Sequence, residues 1–583
     1  MLEGDVLGPA GEPVPGALVS ATSRFDLDDS DPAHDERTDA RGHFRFTKLP
    51  PGRYGVTATC ADHAAAYGGV VDVAASGATA RAALRVGGPS ASIEGTVRDE
   101  KGAPLPGVRV LAPALSENEN EVYVTHTDAR GHYLLRLPTK VGYFIVADAP
   151  PRPRSYKRAE PVTQVLDLSL GVPPAPRPAD DVIAAWLRAN ATPLSGGRDL
   201  DEAGARAFGA LVGDAPLVAM GEATHGSAEF PEWIHRVFQA LVRDKGFTVY
   251  AVEVGWADAF ALDNYVVNGR GDPRAAIRGL LTWKDETEET LALVEWMRAY
   301  NADPSHPKKL HFEGFDVLTP HAVPLLIAYL GKVDPGAVAD AEKALAPFVR
   351  GDSDQTYPAL SPDERERSRR AVAALVERME ANRALYVGRS SEDEWARGRQ
   401  LARMVQQAEV SYLDYGARDA QMVENIQWLV DNHPPGTRFL LDAHNGHIAA
   451  EDHGLIYMGR LLRERWGARY VSIGFAFGEG SLHAMDWQGG RSSRKADFTL
   501  GPAPLGTFDG DLGLAGLPRF LVDLRGADGP VGAWLRSSQR VHHVGGAFAG
   551  PEQSFQRYTP ARAFDAVIYL DKVSAIHPLR RTN

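Results

Sequence analysis

The stretch Gly221–Gly226 carries a glutamate and a histidine three positions apart, Glu222 and His225, between two glycines. An apolar run, residues 216–220, precedes it, and an amphipathic run, residues 230–242, follows. That order reads as strand, tight turn and helix. It sets both side chains at the carboxyl end of a strand, where open α/β sheets place their ligands. A histidine titrates near neutral pH and can take a proton from water, and a carboxylate against it fixes the ring tautomer and stabilises the imidazolium. The chemistry expected of such a corner is general acid–base catalysis, with His225 as the base and Glu222 as its orienting partner.

Other apolar runs end on residues of the same kind. Residues 247–254 carry Glu253 near their end, residues 311–316 end on Asp316, and residues 439–447 end on His444, Asn445 and His447. Glutamate, aspartate and histidine are disfavoured inside buried strands, so strands of one domain that repeatedly end this way point to one shared crevice. Arg418 begins a helical pattern that leads toward the His444 strand, where it could stabilise a developing oxyanion. Its competing reading is a surface pair with Asp419 or Glu424. The expected catalytic set is therefore His225, Glu222, Glu253, His444 and Arg418. The expected substrate contacts are His447, Asp316, Asn445 and Trp256, the last as one of several aromatics able to line an apolar pocket.

Rival readings exist for each feature. Glu222 and His225 could be an ion pair capping the following helix. His444 and His447 with Glu222 or His225 could bind zinc, although the spacing is not the helical His-Glu-x-x-His pattern. Ser227 as a nucleophile lacks the Gly-x-Ser-x-Gly elbow. His542 and His543 read as a loop or strand-edge pair. The expectation is an enzyme with no cofactor, zinc being the alternative.

These residues need a domain to hold them, and the chain is long enough for more than one: 583 residues exceed what a single core organises. Composition is that of a globular protein, 44% hydrophobic and 24% charged. A net charge of −13 without basic clusters argues against nucleic acid as a partner. No apolar run is long enough to span a bilayer as a helix. The one cysteine, Cys60, rules out intramolecular disulfides and thiolate metal clusters. No secretory leader pattern precedes the first strand-like run, so the placement reads as cytoplasmic unless a leader was removed. Oligomeric state is left open.

The first 170 residues are duplicated internally at an offset of about 90. Gly11–Gly16 recurs as Gly102–Gly107, and Thr38–Phe44 recurs as Thr127–Tyr133. Short alternating runs between Gly, Pro and Asp turns predict antiparallel β-sandwiches for residues 1–86 and 90–170, with Asp39 and Asp128 in hairpin loops rather than calcium sites. Residues 171–179 read as a stiff Pro-rich linker. Residues 180–583 alternate strand-like and helical runs, which predicts an α/β domain with a mainly parallel sheet. A large helical insertion over residues 319–434 is expected to cap or wall the sheet edge.

The two repeats, with their Gly-x-Val opening, Pro-Gly turn and Thr-Asp-x-x-Gly hairpin, resemble the carboxypeptidase regulatory-like (transthyretin-like) family. Such modules are accessory and occur mostly on extracytoplasmic proteins, which leans toward an exported enzyme. Farther on, Gly221–Phe230, Val252-Glu253, Gly314–Asp316, Arg418-Asp419 with Met422, and Ala443–His447 together resemble the erythromycin esterase family over residues 185–575. The resemblance implies a small-molecule ester or lactone as substrate. It assigns His225 as general base on water, oriented by Glu222, with Glu253 and His444 completing the site and His447 matching the second histidine. Many relatives carry an arginine about three helical turns after the glutamate, where this chain has Ile234; that departure bears on substrate identity. The same acid–base set would also serve a cyclisation or elimination in natural-product biosynthesis, and a non-enzymatic surface-binding role would leave it unused.

Overall fold

The computed structural model describes the chain except for residues 24–33, 75–77, 116–120, 151, 153, 172–174, 198, 318–319, 350–352, 414, 452–456, 488–493 and 581–583. Part of the Pro-rich segment thus lies outside the described residues. The chain divides into two compact units, one of residues 1–176 with 536–538, the other of 177–535 with 539–583.

The first unit holds two sandwich modules. In each, alternating side chains point into a core of their own, one built on residues such as Val6, Val19, Phe44 and Val56, the other on Ile93, Val110, Tyr133 and Ile145. The pairing is mostly antiparallel. The exception is the opening strand of each module, which also pairs in parallel with the strands that close it: Leu2–Leu7 with Ala80–Arg85, and Ser90–Arg98 with Gln164–Val165 and Leu168–Ser169. The repeated hairpins are alike in detail. Asp39 Oδ1 accepts the N–H groups of Arg41 (2.8 Å) and His43 (3.0 Å), and Asp128 Oδ1 those of Arg130 (2.8 Å) and His132 (2.9 Å). These oxygens are committed to backbone donors, as expected of an Asx-type turn.

In the second unit ten described strands form one sheet. They are β1 (Ala191–Pro193), β2 (Leu217–Met220), β3 (Val249–Gly255), β4 (His311–Asp316), β5 (Phe439–Asp442), β6 (Tyr470–Asp486), β7 (Lys495–Leu500), β8 (Arg519–Asp523), β9 (Ala547–Phe548) and β10 (Ala566–Val573). The main order is β1-β8-β10-β6-β2-β5-β3-β4, with β7 and β9 pairing on the long β6. From β10 through β4 neighbouring strands run parallel, while β1, β8 and β7 add antiparallel pairs. The sheet is therefore mixed, with a parallel centre. β1, β7 and β9 gave no strand pattern in the sequence because each is short or at the sheet's margin.

Both faces of the centre are covered, as a parallel sheet requires. Leu217, Ala219, Val249, Ala251 and Leu441 enter one core together with Leu326, Met404 and Met422 from the helices between residues 322 and 432. Val218, Met220, Tyr250, Val252 and Leu440 enter the other, against the helix Glu229–Lys245. That helix buries Phe230, Trp233, Ile234, Val237, Phe238 and Leu241, the i, i+3, i+4 stripe expected of an amphipathic segment. Ile234 is thus a core residue, and Arg236 pairs with Glu232 at 3.2 Å and stacks on Trp233. Within the helical region the helix Pro362–Ala381 breaks at Asn382, whose side chain donates to the Arg378 carbonyl (2.8 Å). Asn425, on the helix Arg418–Asn432, donates to the Phe315 carbonyl (3.0 Å), so this part of the helical region covers edge strand β4.

The turn after β2 is clamped by backbone contacts. Gly221 N–H bonds Ile473 O (2.9 Å), Gly226 O accepts from His483 (2.9 Å) and Ile576 (3.0 Å), and Ala223 O accepts from Val544 (2.8 Å). A Cβ at Gly226 would lie 1.8 Å from the His483 carbonyl oxygen, and one at Gly221 would lie 2.1 Å from Asn445 Oδ1. The glycines are there because other chain segments occupy the space of a side chain. Gly226→Ala is expected to destabilise the protein by about 3 kcal/mol, the upper end of ordinary overpacking, because the clash is with backbone. Denaturant titration of the variant checks this; an unchanged midpoint contradicts the packing described.

Candidate active site

Four strand ends converge at the carboxyl edge of the parallel centre: the turn after β2, the end of β3, the end of β4 and the turn after β5. His225 Nδ1 lies 2.5 Å from Glu222 Oε1. The side chains are 15% and 8% exposed, so the pair is nearly withdrawn from water. Burial pushes the Glu222 carboxyl up to about 8, against the pull of nearby Lys284, and pushes the His225 imidazole down to about 4. Once Glu222 is ionised, the ring proton sits on Nδ1 facing the carboxylate. His225 Nε2 then presents a lone pair, and among the described residues it has no hydrogen-bond partner.

Beside this pair runs a chain of alternating charges. Glu253 Oε1 accepts from Arg418 Nη2 (2.9 Å) and His447 Nε2 (3.2 Å), and its Oε2 takes the backbone N–H of His444 (3.2 Å). Arg418 continues onto Asp316 through Nε (3.0 Å) and Nη2 (2.5 Å), and His447 Nδ1 continues onto Asp419 (2.9 Å). Burial alone would neutralise Glu253, but His447, Arg418 and Lys284 hold it well below the usual carboxylate range. Burial likewise opposes a charge on His447, yet Asp419 and Glu253 raise it well above the ordinary imidazole range. His447 is therefore an imidazolium and Glu253 a carboxylate. Alternation along β3 explains the side on which this happens: Glu253 follows Val249 and Ala251 toward the helical face that supplies Arg418.

His444 has the opposite character. Its Nδ1 accepts the Gly446 N–H (3.2 Å), so the ring proton is on Nε2. Burial, then His225 and His447, hold it well below the ordinary range, and the ring is neutral. The Ala223 carbonyl favours a proton on this ring, but Nε2 is buried without a hydrogen bond among the described residues. The ring stands edge-on to His225 (centroids 4.9 Å apart) and to His543 (4.3 Å). His543, whose Nδ1 lies 2.7 Å from Tyr558 Oη, sits in the loop just after a strand that ends at His542, as read from the sequence, and neighbours the site. Its partner in sequence, His542, is stacked between Phe477 and Phe555 in the core.

Two expected substrate contacts are placed elsewhere. Trp256 is 3% exposed, packs on Phe260 and Trp428, and gives its indole N–H to Glu313 (3.2 Å). It is a core residue, because the strand turns into a short helix at this point and carries the ring under the helical face. Asn445 is fully buried and pairs with the backbone of Phe475 through both amide atoms (2.8 and 3.0 Å). Its work is to pin the His444 turn to β6. Asp316 lies behind Arg418, buried, and its Oδ1 also accepts its own neighbour's N–H, that of Val317 (2.7 Å). Among the described residues no group of three or more His, Cys, Asp or Glu side chains is arranged to hold a metal ion.

Lys284, Asp442 and Tyr250 also belong to this region, and none of them stood out in the sequence. Lys284, from the loop before the helix Glu288–Ala302, has a 10% exposed side chain 3.8 Å from Glu222 Oε1 and 3.2 Å from Asp285. Tyr250 donates its hydroxyl to Asp442, on the face of the sheet away from Glu253. Burial pushes the Asp442 carboxyl up to about 7. The one available signal was a lysine in a loop next to the strand-end carboxylates, which spacing along the chain does not reveal.

The same arrangement of strands and helices recurs in known proteins. A structure of a protein from Bacillus cereus is 27% identical, with a TM-score of 0.62, over 69% of this chain and 100% of that one. An erythromycin esterase variant in its open conformation has the same fold at 17% identity and a TM-score of 0.54, covering 67% of this chain and 99% of that one. The erythromycin esterase type II of Escherichia coli is 24% identical over 308 residues, 47% of this chain and 72% of its own length. The carboxypeptidase regulatory-like domain matches residues 1–85 and 92–169, as the repeats suggested.

Arg418→Met should leave Asp316 buried without its cation and Glu253 with His447 as its one remaining side-chain cation, and is expected to destabilise the protein by about 3–5 kcal/mol. Urea unfolding followed by fluorescence measures this, and a loss below about 1 kcal/mol would mean the network is weakly coupled. The model for erythromycin esterase matches residues 242–573, beginning after the Glu222–His225 turn and spanning more than half of the sequence, and the chain belongs to that family.

Proposed function

We propose that this protein hydrolyses an ester or lactone of a small molecule with water activated by the His225–Glu222 pair. The observation that carries the reading is the 2.5 Å contact between the two, withdrawn from solvent, with the far nitrogen of the imidazole unengaged among the described residues. His225 Nε2 removes a proton from water as the oxygen attacks the ester carbonyl. Glu222 holds the Nδ1 proton and offsets the charge of the imidazolium that forms. The tetrahedral oxyanion is stabilised by positive potential from Arg418 and His447, the cations of the chain, each 15% exposed. When the intermediate collapses, the C–O bond breaks and the imidazolium returns its proton to the leaving alkoxide. One water is consumed, and an acid and an alcohol are released.

Glu253 acts behind these groups, fixing both cations and the His444 backbone. The neutral ring of His444 sets one wall for His225 and adds no competing charge. The erythromycin esterase family match and the Escherichia coli relative of that name support an ester as the bond attacked.

A panel of macrolides and simple lactones, followed by mass spectrometry, tests the reaction: products gain one water. An unchanged mass or loss of water would instead favour cyclisation or elimination. His225→Ala and Glu222→Gln should each lower kcat/KM by about 10²–10⁴ while the thermal transition stays nearly in place. The pair works only after Glu222 has ionised, and its pKa is raised to about 8, so kcat/KM should rise with pH through about 8 and level off above it. Turnover that survives both substitutions would sink the mechanism.

A further inference from the structure

The loop at residues 281–285 contains the only non-glycine residue with a positive φ among those described, Leu281, at 60°. Leu281 is 53% exposed, so no packing of its side chain explains the conformation. A non-glycine residue in this region is unfavourable and persists where the surroundings over-determine it. Here the residues just after the turn are the reason. Thr282 Oγ1 donates to Asp285 Oδ2 (2.6 Å), Asp285 N–H returns to Thr282 O (3.2 Å), and Thr287 N–H bonds Asp285 O (2.9 Å). Trp283 stacks edge-on against His483 of β6. The result is that Lys284 points inward.

An ammonium group this far from water is costly unless it is paired. Lys284 contacts Asp285 directly at 3.2 Å and stands 3.8 Å from Glu222 Oε1. Glu253 and Asp442 also bear on it, and burial is overcome so that the amine is raised above its ordinary value. Around Glu222, the charged or titratable groups are Lys284 and Asp285 from this loop, Glu253 from β3, His447 and Asp442 from the β5 end, and His225 from its own turn. Lys284 is the cation of that set with the largest effect on Glu222.

We propose that Lys284 is a positioning residue for the base: it stabilises the ionised form of Glu222 and so selects the state in which His225 has its proton on Nδ1 and a free Nε2. Asp285 holds the ammonium in place, and the turn at Leu281 delivers it. The proposal rests on the hydrolytic reading only for its consequence in turnover; the proton equilibrium it describes can be read without any substrate.

The test is a pH titration of the His225 ring by ¹⁵N NMR, the signal assigned by its loss in His225→Gln. An opposite charge within about 4–6 Å typically moves a carboxyl by about 1–3 pH units, so Lys284→Met should carry the titration that frees Nε2 alkaline by about one unit or more. Lys284→Arg, which keeps the charge, should restore it. On the ester or lactone turned over, kcat/KM of Lys284→Met at pH 7 should fall about tenfold, while the rate at the alkaline plateau is kept. Lys284→Gln, polar and of similar reach, is read the same way in case the methionine variant does not fold. A folded Met or Gln variant whose titration coincides with that of the wild type overturns the proposal. Loss of turnover without a titration shift would do the same, since a merely structural role has that signature. If instead His225→Ala keeps its turnover while the titration shifts in Lys284→Met, the hydrolytic reading fails and the role of Lys284 stands.

Discussion

The carboxylate of Glu253 is the group on which the site's architecture turns. It accepts three donors from two segments: Arg418 at the start of a helix, and His447 with the backbone N–H of His444 in the turn after β5. A buried carboxylate without partners would take up a proton, and buried cations without carboxylates would give theirs up or be expelled. Glu253 and His447 are thus held as charges by their partners, and Asp419, Arg418 and Asp316 complete the chain of ion pairs. Their alternation docks the helix Arg418–Asn432 onto the strand ends and fixes where His444 stands beside His225.

Against that charged chain, the His225–Glu222 pair is built to be adjustable. Burial lifts the carboxyl to about 8 and depresses the imidazole to about 4, so the ring stays neutral and the carboxyl titrates near the pH where a general base is useful. Two kinds of environment therefore meet at one sheet edge. On the helical face Glu253 and His447 are held firmly in their charged forms by their ion-pair partners. On the opposite face Glu222, Asp442 and Asp285 crowd three acids around the one amine of Lys284, and the proton balance is sensitive to that amine.

Much of this was legible in the chain. Apolar runs located the strands β2, β3, β4 and β5, and their ends on Glu, Asp or His marked the edge of the candidate site. The repeats and their Asp hairpins located the two sandwich modules, because an Asx turn leaves a fixed local signature. The roles of individual polar residues were less legible. Asn445 read as a substrate contact and proved to be a clamp on the backbone of Phe475, and Trp256 read as a pocket wall and proved to be core. A side chain's partner depends on which strand lies next to it, and the order β6-β2-β5-β3 sets Leu217 between Phe439 and Tyr470, segments remote from it along the chain.

What the sequence by itself determined is the set of local choices: which runs are strands, and that Glu222 and His225 share one short turn at a strand end. Tertiary structure alone decided the electrostatics. Arg418 became the bridge of a buried network instead of a surface pair. Two imidazoles of one short turn took opposite states, His444 neutral and His447 charged, and Lys284 arrived beside Glu222 from a separate loop. The physical reason is that a propensity is a property of a short segment, whereas a proton's affinity for a side chain is set by burial and by charges within a few ångströms, and those neighbours are chosen by the fold.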